Sequence, residues 1–216
     1  MMTTRAGYVQ VPAGANAIRT WRRNNAMLSM IINTLGVTRM KLPTDRNVFQ
    51  NAWVVDDLDA AMKKWVDEMG IGPFFVAEHG AQFTDLMYRG EPSELYMTVA
   101  LAQAGPVQIE LIQPTTDKPC AYRDSVPAGA TGFHHMCVWT KDIEADTRYF
   151  EGLGYAAANI GKAGFARFAY YDTRPLMGCM LEVVEHKPQI EALFGRIAEV
   201  CAGWDGKRPV RTMADL

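Results

Sequence analysis

Cysteine and histidine are scarce in this 216-residue sequence, four of each, and the scarcity excludes whole classes of protein. Cys120, Cys137, Cys179 and Cys201 stand 17, 42 and 22 residues apart, so there is no CxxC pair, no zinc-knuckle spacing and no framework for a disulfide scaffold. A reduced thiol set and a cytoplasmic location are therefore expected. No apolar run approaches the roughly eighteen residues a transmembrane helix needs, so no membrane partner is expected. Acidic residues are missing from residues 1–44, which carry six basic ones; the rest holds 16 of the 22 basic and all 24 acidic residues, a formal −8 hidden inside a net charge of −2. An acidic body argues against a nucleic-acid surface. What remains, with 49% hydrophobic and 21% charged residues, has the proportions of an ordinary globular protein.

The acid-free segment invites a targeting reading, because Trp21-Arg22-Arg23 precedes a mildly apolar stretch from Ala26 to Val37. Asn33 and Thr34 interrupt that stretch and no small-residue cleavage site follows it. Residues 1–46 are therefore expected to be an extension outside the folded body, with a docking helix as the alternative.

An internal repeat organises the body. The run from Gln50 through Trp53 and Asp57 to Gly70 resembles the run from His135 through Trp139 and Asp142 to Gly154. Each places an Asp seven residues after its first position, then an amphipathic stretch, then Gly. Physically, each begins as a strand rich in β-branched and aromatic residues, and the Asp stands where a helix N-cap belongs. Leu58, Met62, Trp65, Val66 and Met69 then recur at helical spacing, and Gly70 closes the helix. Strand-like segments follow at Pro73 to His79, Gln82 to Arg89, Leu95 to Gln103 and Val107 to Gln113. After the second helix come Ala156 to Ile160, Ala166 to Asp172 and Cys179 to Glu185.

This arrangement resembles the vicinal oxygen chelate superfamily, which includes glyoxalase I, methylmalonyl-CoA epimerase, extradiol dioxygenases and bleomycin-resistance proteins. The resemblance implies an α+β fold of two tandem βαβββ modules whose curled mixed sheets enclose one metal-containing cleft. The modules would span residues 47–116 and 132–187, joined by a linker at 117–131 and followed by a C-terminal helix and tail at 188–216. The tail helix is visible in the spacing of Ile190, Leu193, Phe194, Ile197, Val200 and Cys201; it is expected to pack on the body or at a subunit interface, and the family admits a homodimer.

The superfamily's ligand position in each first strand lies seven residues before the Asp of the helix start, which selects Gln50 and His135. In the last strands, Val107-Gln-Ile-Glu110 and Cys179-Met-Leu-Glu182 supply one carboxylate each. The four resemble the Gln, Glu, His, Glu set of the longer glyoxalase I type. The residues themselves support this: Glu110 and Glu182 interrupt apolar strands, where an unpaired carboxylate is costly and needs a metal, a cation or a proton. Singly, Gln50 reads as a satisfied polar strand residue and His135 as a structural histidine; at matched places in two repeats they read as ligands. One imidazole, two carboxylates and an amide oxygen suit a divalent ion, with Zn, Ni, Co, Mn and Mg all open. His134 alternates to the other strand face and is expected to pack or to support His135. His79 and His186 are expected to be solvated.

The resemblance implies a divalent-metal-dependent isomerase, epimerase or lyase that removes a proton next to a carbonyl through a metal-stabilised enolate, with Glu182 as the first candidate base and Glu110 as the second. Its small-molecule substrate would be an acyl-CoA or another hydroxycarbonyl or oxo compound. The positions that anchor glutathione in glyoxalase I carry Val54, Thr131 and Pro114 here, which disfavours that substrate. Gly132-Phe-His-His135-Met-Cys, Asp56-Asp-Leu-Asp-Ala-Ala and Gly70-Ile-Gly-Pro-Phe74 resemble methylmalonyl-CoA epimerase-like members, although that enzyme has His where Gln50 stands. An extradiol dioxygenase needs two His and one Glu around Fe(II), and only His135 is available at the four positions. A metal-free, resistance-type binding protein is the alternative from another class. Trp53, Phe75, Phe83, Tyr88, Tyr96, Trp139, Phe165, Tyr170 and Tyr171 offer aromatic material for its cleft or, more simply, for the core. Arg89 and Arg174, at strand ends, could meet a substrate anion or simply be solvated.

Overall fold

The computed structural model describes residues 47–79 and 83–216; the expectations for residues 1–46, and for Gln82 as a strand start, lie outside the described residues. In chain order the elements are β1 (Val48–Val54), α1 (Leu58–Met69), β2 (Phe74–His79), β3 (Phe83–Tyr88), β4 (Glu91–Pro92), β5 (Met97–Ala104), β6 (Val107–Pro114), α2 (Ala121–Ser125), β7 (Gly132–Thr140), α3 (Ile143–Gly152), β8 (Ala157–Ala163), β9 (Ala166–Tyr171), α4 (Arg174–Met177), β10 (Met180–Glu185), α5 (Pro188–Ala202) and β11 (Val210–Thr212). The fold is α+β. One mixed sheet runs β11-β2-β5-β6-β1-β7-β10-β9-β8-β3-β4 and does not close on itself.

Local chemistry sets the helix boundaries. The Asp57 and Asp142 carboxylates accept hydrogen bonds from the backbone N–H groups of Ala60 and Ala145, 2.9 Å each, so both are the N-caps expected, each worth about 1 kcal/mol. Gly70 closes α1 in the left-handed region at φ 66°. Leu58 and Met62 are buried on the sheet, whereas Met69, on the same stripe, lies outside that cluster and is 65% exposed.

Period-2 alternation divides the sheet into two working faces. Ala100 and Ala102 of β5, with Ile109 and Leu111 of β6, pack under α1. Leu181 and Val183 of β10 pack under α3 with Ile143 and Phe150. Their neighbours, Val99 and Leu101, Glu110, and Glu182 and Val184, turn to the opposite face, where they line a cavity. At the centre β1 pairs in parallel with β6 and antiparallel with β7, and β7 pairs in parallel with β10. The strands carrying Glu110, Gln50, His135 and Glu182 are thus four neighbours across the middle of the sheet.

Two features depart from the simple sequence of strands. The hairpin β3–β4 does not join its sequence neighbours β2 and β5, which pair with each other; it crosses to the far edge and pairs with β8. A glycine makes the approach feasible: a Cβ on Gly161 would stand 2.8 Å from Leu86 Cδ1 and 3.3 Å from Leu86 Cα. The Asn159 side-chain amide donates to Met87 O at 3.0 Å and fixes the register. At the other edge the tail adds β11 beside β2, and α5 packs Ile197 against Phe75 and Leu101, so the tail docks on the body. Among the described residues no helix is long and apolar enough to cross a membrane.

Candidate metal centre

Side-chain direction on the four central strands brings three of the four expected ligands together. One ligand atom each from Glu110, His135 and Glu182 lies within 4.8 Å of the other two. The ladder explains the room between them: Ala52 is the neighbour of both Glu110 and His135, and Cys137 is the neighbour of Glu182, so small side chains separate the large polar ones. Gln50 is buried and lines the same cavity as Glu110 and Glu182. Its Nε2 donates to Gln108 Oε1 at 2.7 Å, which leaves the carbonyl oxygen as the end available to a ligand.

The hydrogen-bond chain behind His135 determines what its inner nitrogen can do. His134 Nε2 lies 3.0 Å from Ala121 O, an acceptor only, so that nitrogen carries the proton. Burial, and then the neighbouring His135, hold the His134 imidazolium down to about 3; the ring is neutral and its Nδ1 accepts. His135 Nδ1, 2.8 Å away, must donate to it. A neutral His135 then presents the bare lone pair of Nε2 to Glu182 Oε2 at 3.0 Å and Glu110 Oε2 at 3.5 Å. Lone pair against carboxylates is repulsive unless a cation intervenes.

In the protein alone that cation is a proton. Burial works against the imidazolium, but the Glu182 charge and the two carboxylate contacts outweigh it and raise His135 to about 9. Even so, neither carboxylate sits in line with the ring nitrogen, and Nε2 remains a buried atom without a directed hydrogen bond. Glu110 is raised from the usual carboxylate range by burial, against the pull of His135. Cys137 stays a thiol, held up by burial and then by the Glu182 charge. An imidazole nitrogen in its ligating tautomer, two carboxylates and an amide oxygen form a donor set that fits a divalent ion.

The site forms the polar floor of a cavity of about 330 Å³. Of the aromatic residues expected at a cleft, Phe83, Phe165 and Tyr170 line it; Phe75 and Tyr171 are fully buried in core clusters instead. Tyr122, Phe49 and Phe168 also line it, as does Phe194 of the tail helix; none of the four is expected there from the sequence. Alternation could have signalled Phe168, two residues before Tyr170; nothing local marks Tyr122, which lies in the segment expected to be a linker. Arg89 and Arg174 are tied into a surface network. Arg89 pairs with Asp124 at 2.6 Å and Asp172 at 3.1 Å, and Arg174 with Asp172 at 2.6 Å. His186 bonds Glu191 at 2.9 Å and packs edge-on against Trp139.

A family model described as the Glyoxalase/Bleomycin resistance protein/Dioxygenase superfamily matches residues 49–171. Among solved structures, the chain is similar to a hypothetical protein from Bacillus halodurans C-125, with 19% identity and a TM-score of 0.47 over 68% of this chain and 98% of that one. It is also similar to methylmalonyl-CoA epimerase from Mycobacterium tuberculosis, with 19% identity and a TM-score of 0.44 over 67% and 91%. A Streptomyces coelicolor methylmalonyl-CoA epimerase in complex with 2-nitronate-propionyl-CoA aligns with 19% identity and a TM-score of 0.41 over 64% and 95%. No curated protein matches the sequence.

Proposed function

The chain belongs to the glyoxalase/bleomycin resistance protein/dioxygenase superfamily, and on that premise we propose that it is a divalent-metal-dependent isomerase, epimerase or lyase that removes a proton next to a carbonyl. The observation that carries the reading is the His135 Nε2 lone pair facing Glu110 and Glu182 on the floor of a cavity. His135, Glu110, Glu182 and the Gln50 carbonyl oxygen would hold the ion. Once bound, a divalent ion supplies Lewis-acid polarisation of a substrate carbonyl, which acidifies the C–H beside it.

The chain's own residues handle the proton. Glu182 on β10 is the first candidate to accept it. Glu110 on β6 reaches the cavity from the other side of the β1–β7 seam and can return a proton on the other face, which is the requirement for epimerisation. The surrounding walls are largely apolar, which lowers the local dielectric and so strengthens each of these electrostatic interactions. Four cysteines without disulfide partners fit a reducing compartment, and a cytoplasmic location is part of this reading.

Metal analysis of the purified protein, with Gln50→Ala and His135→Ala beside it, tests the site. One divalent ion per chain is expected, lost in His135→Ala and weakened in Gln50→Ala. Metal-dependent exchange of a substrate C–H with solvent deuterium, across acyl-CoA, 2-oxo and hydroxycarbonyl compounds, tests the chemistry; Glu182→Gln or Glu110→Gln should abolish it. A protein that takes up no metal and exchanges no proton is not this enzyme. The largely apolar cavity wall supports the second reading, a metal-free binding protein, for which Glu182→Gln leaves ligand affinity unchanged.

A further inference from the structure

Two tyrosines on the cavity wall are left with one hydroxyl proton more than the described protein groups use. Tyr122 and Tyr170 are 1% and 3% exposed, both rings line the cavity, and their hydroxyl oxygens are 3.1 Å apart. A phenol titrates at about 10 in water, so near neutral pH each keeps its proton. The pair therefore owns two protons and shares one hydrogen bond. One hydroxyl donates to the other; the second proton meets no acceptor among the described residues. A buried donor without an acceptor is costly, and an oxygen of a ligand in the cavity would relieve that cost.

The position of the pair indicates where such an oxygen would sit. Tyr170 is the cross-strand partner of Glu182, and its ring packs edge-on to His135 at 5.0 Å. Tyr122 comes from α2, the same short helix whose Ala121 carbonyl anchors His134. The remaining wall is apolar, including Phe49, Phe83, Met97, Phe168 and Phe194. Its acidic lining residues are Glu110 and Glu182, and among the described residues no Lys or Arg lines it to hold an anion. Arg89 and Arg174 are engaged by Asp124 and Asp172.

We propose that the Tyr122–Tyr170 hydroxyl pair is the oxygen-recognition element of this cavity, and that the part of the ligand held there is uncharged and largely apolar, with one hydrogen-bond-accepting oxygen directed at the pair. The inference rests on the cavity being the functional site, as in the reading above, and not on the ion.

Three probes of one shape test it on the full chain, with and without prior chelation: 2-acetylnaphthalene, 2-isopropenylnaphthalene, which lacks the acceptor, and 2-naphthoate, which is charged. In the chelated protein 2-acetylnaphthalene should bind about tenfold tighter than its isopropenyl analogue, the size of one net hydrogen bond, and 2-naphthoate should bind most weakly. Tyr122→Phe and Tyr170→Phe each leave one hydroxyl able to donate and should keep part of the preference. The double variant should lose it, with isopropenyl affinity unchanged. The carbonyl stretch of bound 2-acetylnaphthalene, below its value in hexane for the native protein, reports the same bond without any variant. Equal affinity for the two neutral probes, a preference that survives in the double variant, or tightest binding of 2-naphthoate to the chelated protein overturns the inference. Saturable binding of both neutral probes at equal strength does so while leaving the cavity a ligand site. If neither binds, the cavity reading falls and the inference with it. Failure of the chelated and metal-loaded proteins to differ bears on the ion alone.

Discussion

Replacing His134, which is expected to touch no ion, should weaken metal binding almost as surely as replacing a ligand. His134 is fully buried and bridges Ala121 O at 3.0 Å to His135 Nδ1 at 2.8 Å. Its acceptor nitrogen forces the His135 proton onto Nδ1 and so leaves Nε2 free to ligate. In His134→Leu the His135 Nδ1–H loses its acceptor inside the protein, a deficit of about 1–3 kcal/mol. The ring can escape by moving its proton to Nε2, where it blocks the ligand atom. A support of this kind typically contributes 10- to 100-fold in metal affinity, equivalent to about 1.4–2.7 kcal/mol. His134→Gln offers both functions again, an amide oxygen for His135 and an N–H for Ala121, and should recover most of the loss. The assay is competition for Zn²⁺ or Co²⁺ against a chromophoric chelator, with urea unfolding of each variant to show that the fold persists. If His134→Leu binds metal within twofold of the native protein while His135→Ala does not bind it, the tautomer argument is wrong.

Two further outcomes follow from packing and charge. Gly161→Ala should destabilise the protein by about 1–3 kcal/mol, because its Cβ meets both Leu86 Cδ1 and the Leu86 backbone; urea unfolding measures it, and Leu86→Ala in the same chain should relieve only part, since the backbone contact remains. Asp172 is held down to about 2 by its hydrogen bond to Arg174, with Arg89 adding to it against burial. A carboxyl lowered on folding contributes stability that is complete above its unfolded pKa, about 3.9, and is lost as pH falls through about 2. Thermal unfolding followed between pH 4 and pH 2 should therefore show a steeper loss for the native chain than for Asp172→Asn; identical slopes would falsify the assignment.

The contrast between Glu110 and Tyr122 shows what local pattern can convey. Glu110 stands out in Val107-Gln-Ile-Glu110-Leu-Ile because a carboxylate interrupts an apolar strand at a place matched by Glu182. A strand's period of two then says which neighbours share its face. Tyr122 lies in a segment with no period, and it reaches the cavity because long-range contacts anchor α2, Ala121 O bonding His134 and Ala121 N–H bonding the Asn159 side chain. The hairpin β3–β4 makes the same point at larger scale. Phe83–Tyr88 reads as a strand from its own residues, but its partner is β8, favoured by Gly161, Asn159 and the Ala158 carbonyl that accepts from Arg89 N–H, all distant in sequence.

By itself, then, the sequence determined what short-range physics controls: two Asp-capped helices, the strands between them, the α+β class, and four polar residues on strands that would otherwise be apolar. Tertiary structure alone decided which strands became neighbours, which way the His134–His135 protons point, that the tail helix packs along one side of the cavity, and that two tyrosines from separate segments share one hydrogen bond. Those outcomes depend on contacts between residues tens of positions apart, whose geometry is set only when the sheet curls and its two halves meet along β1 and β7.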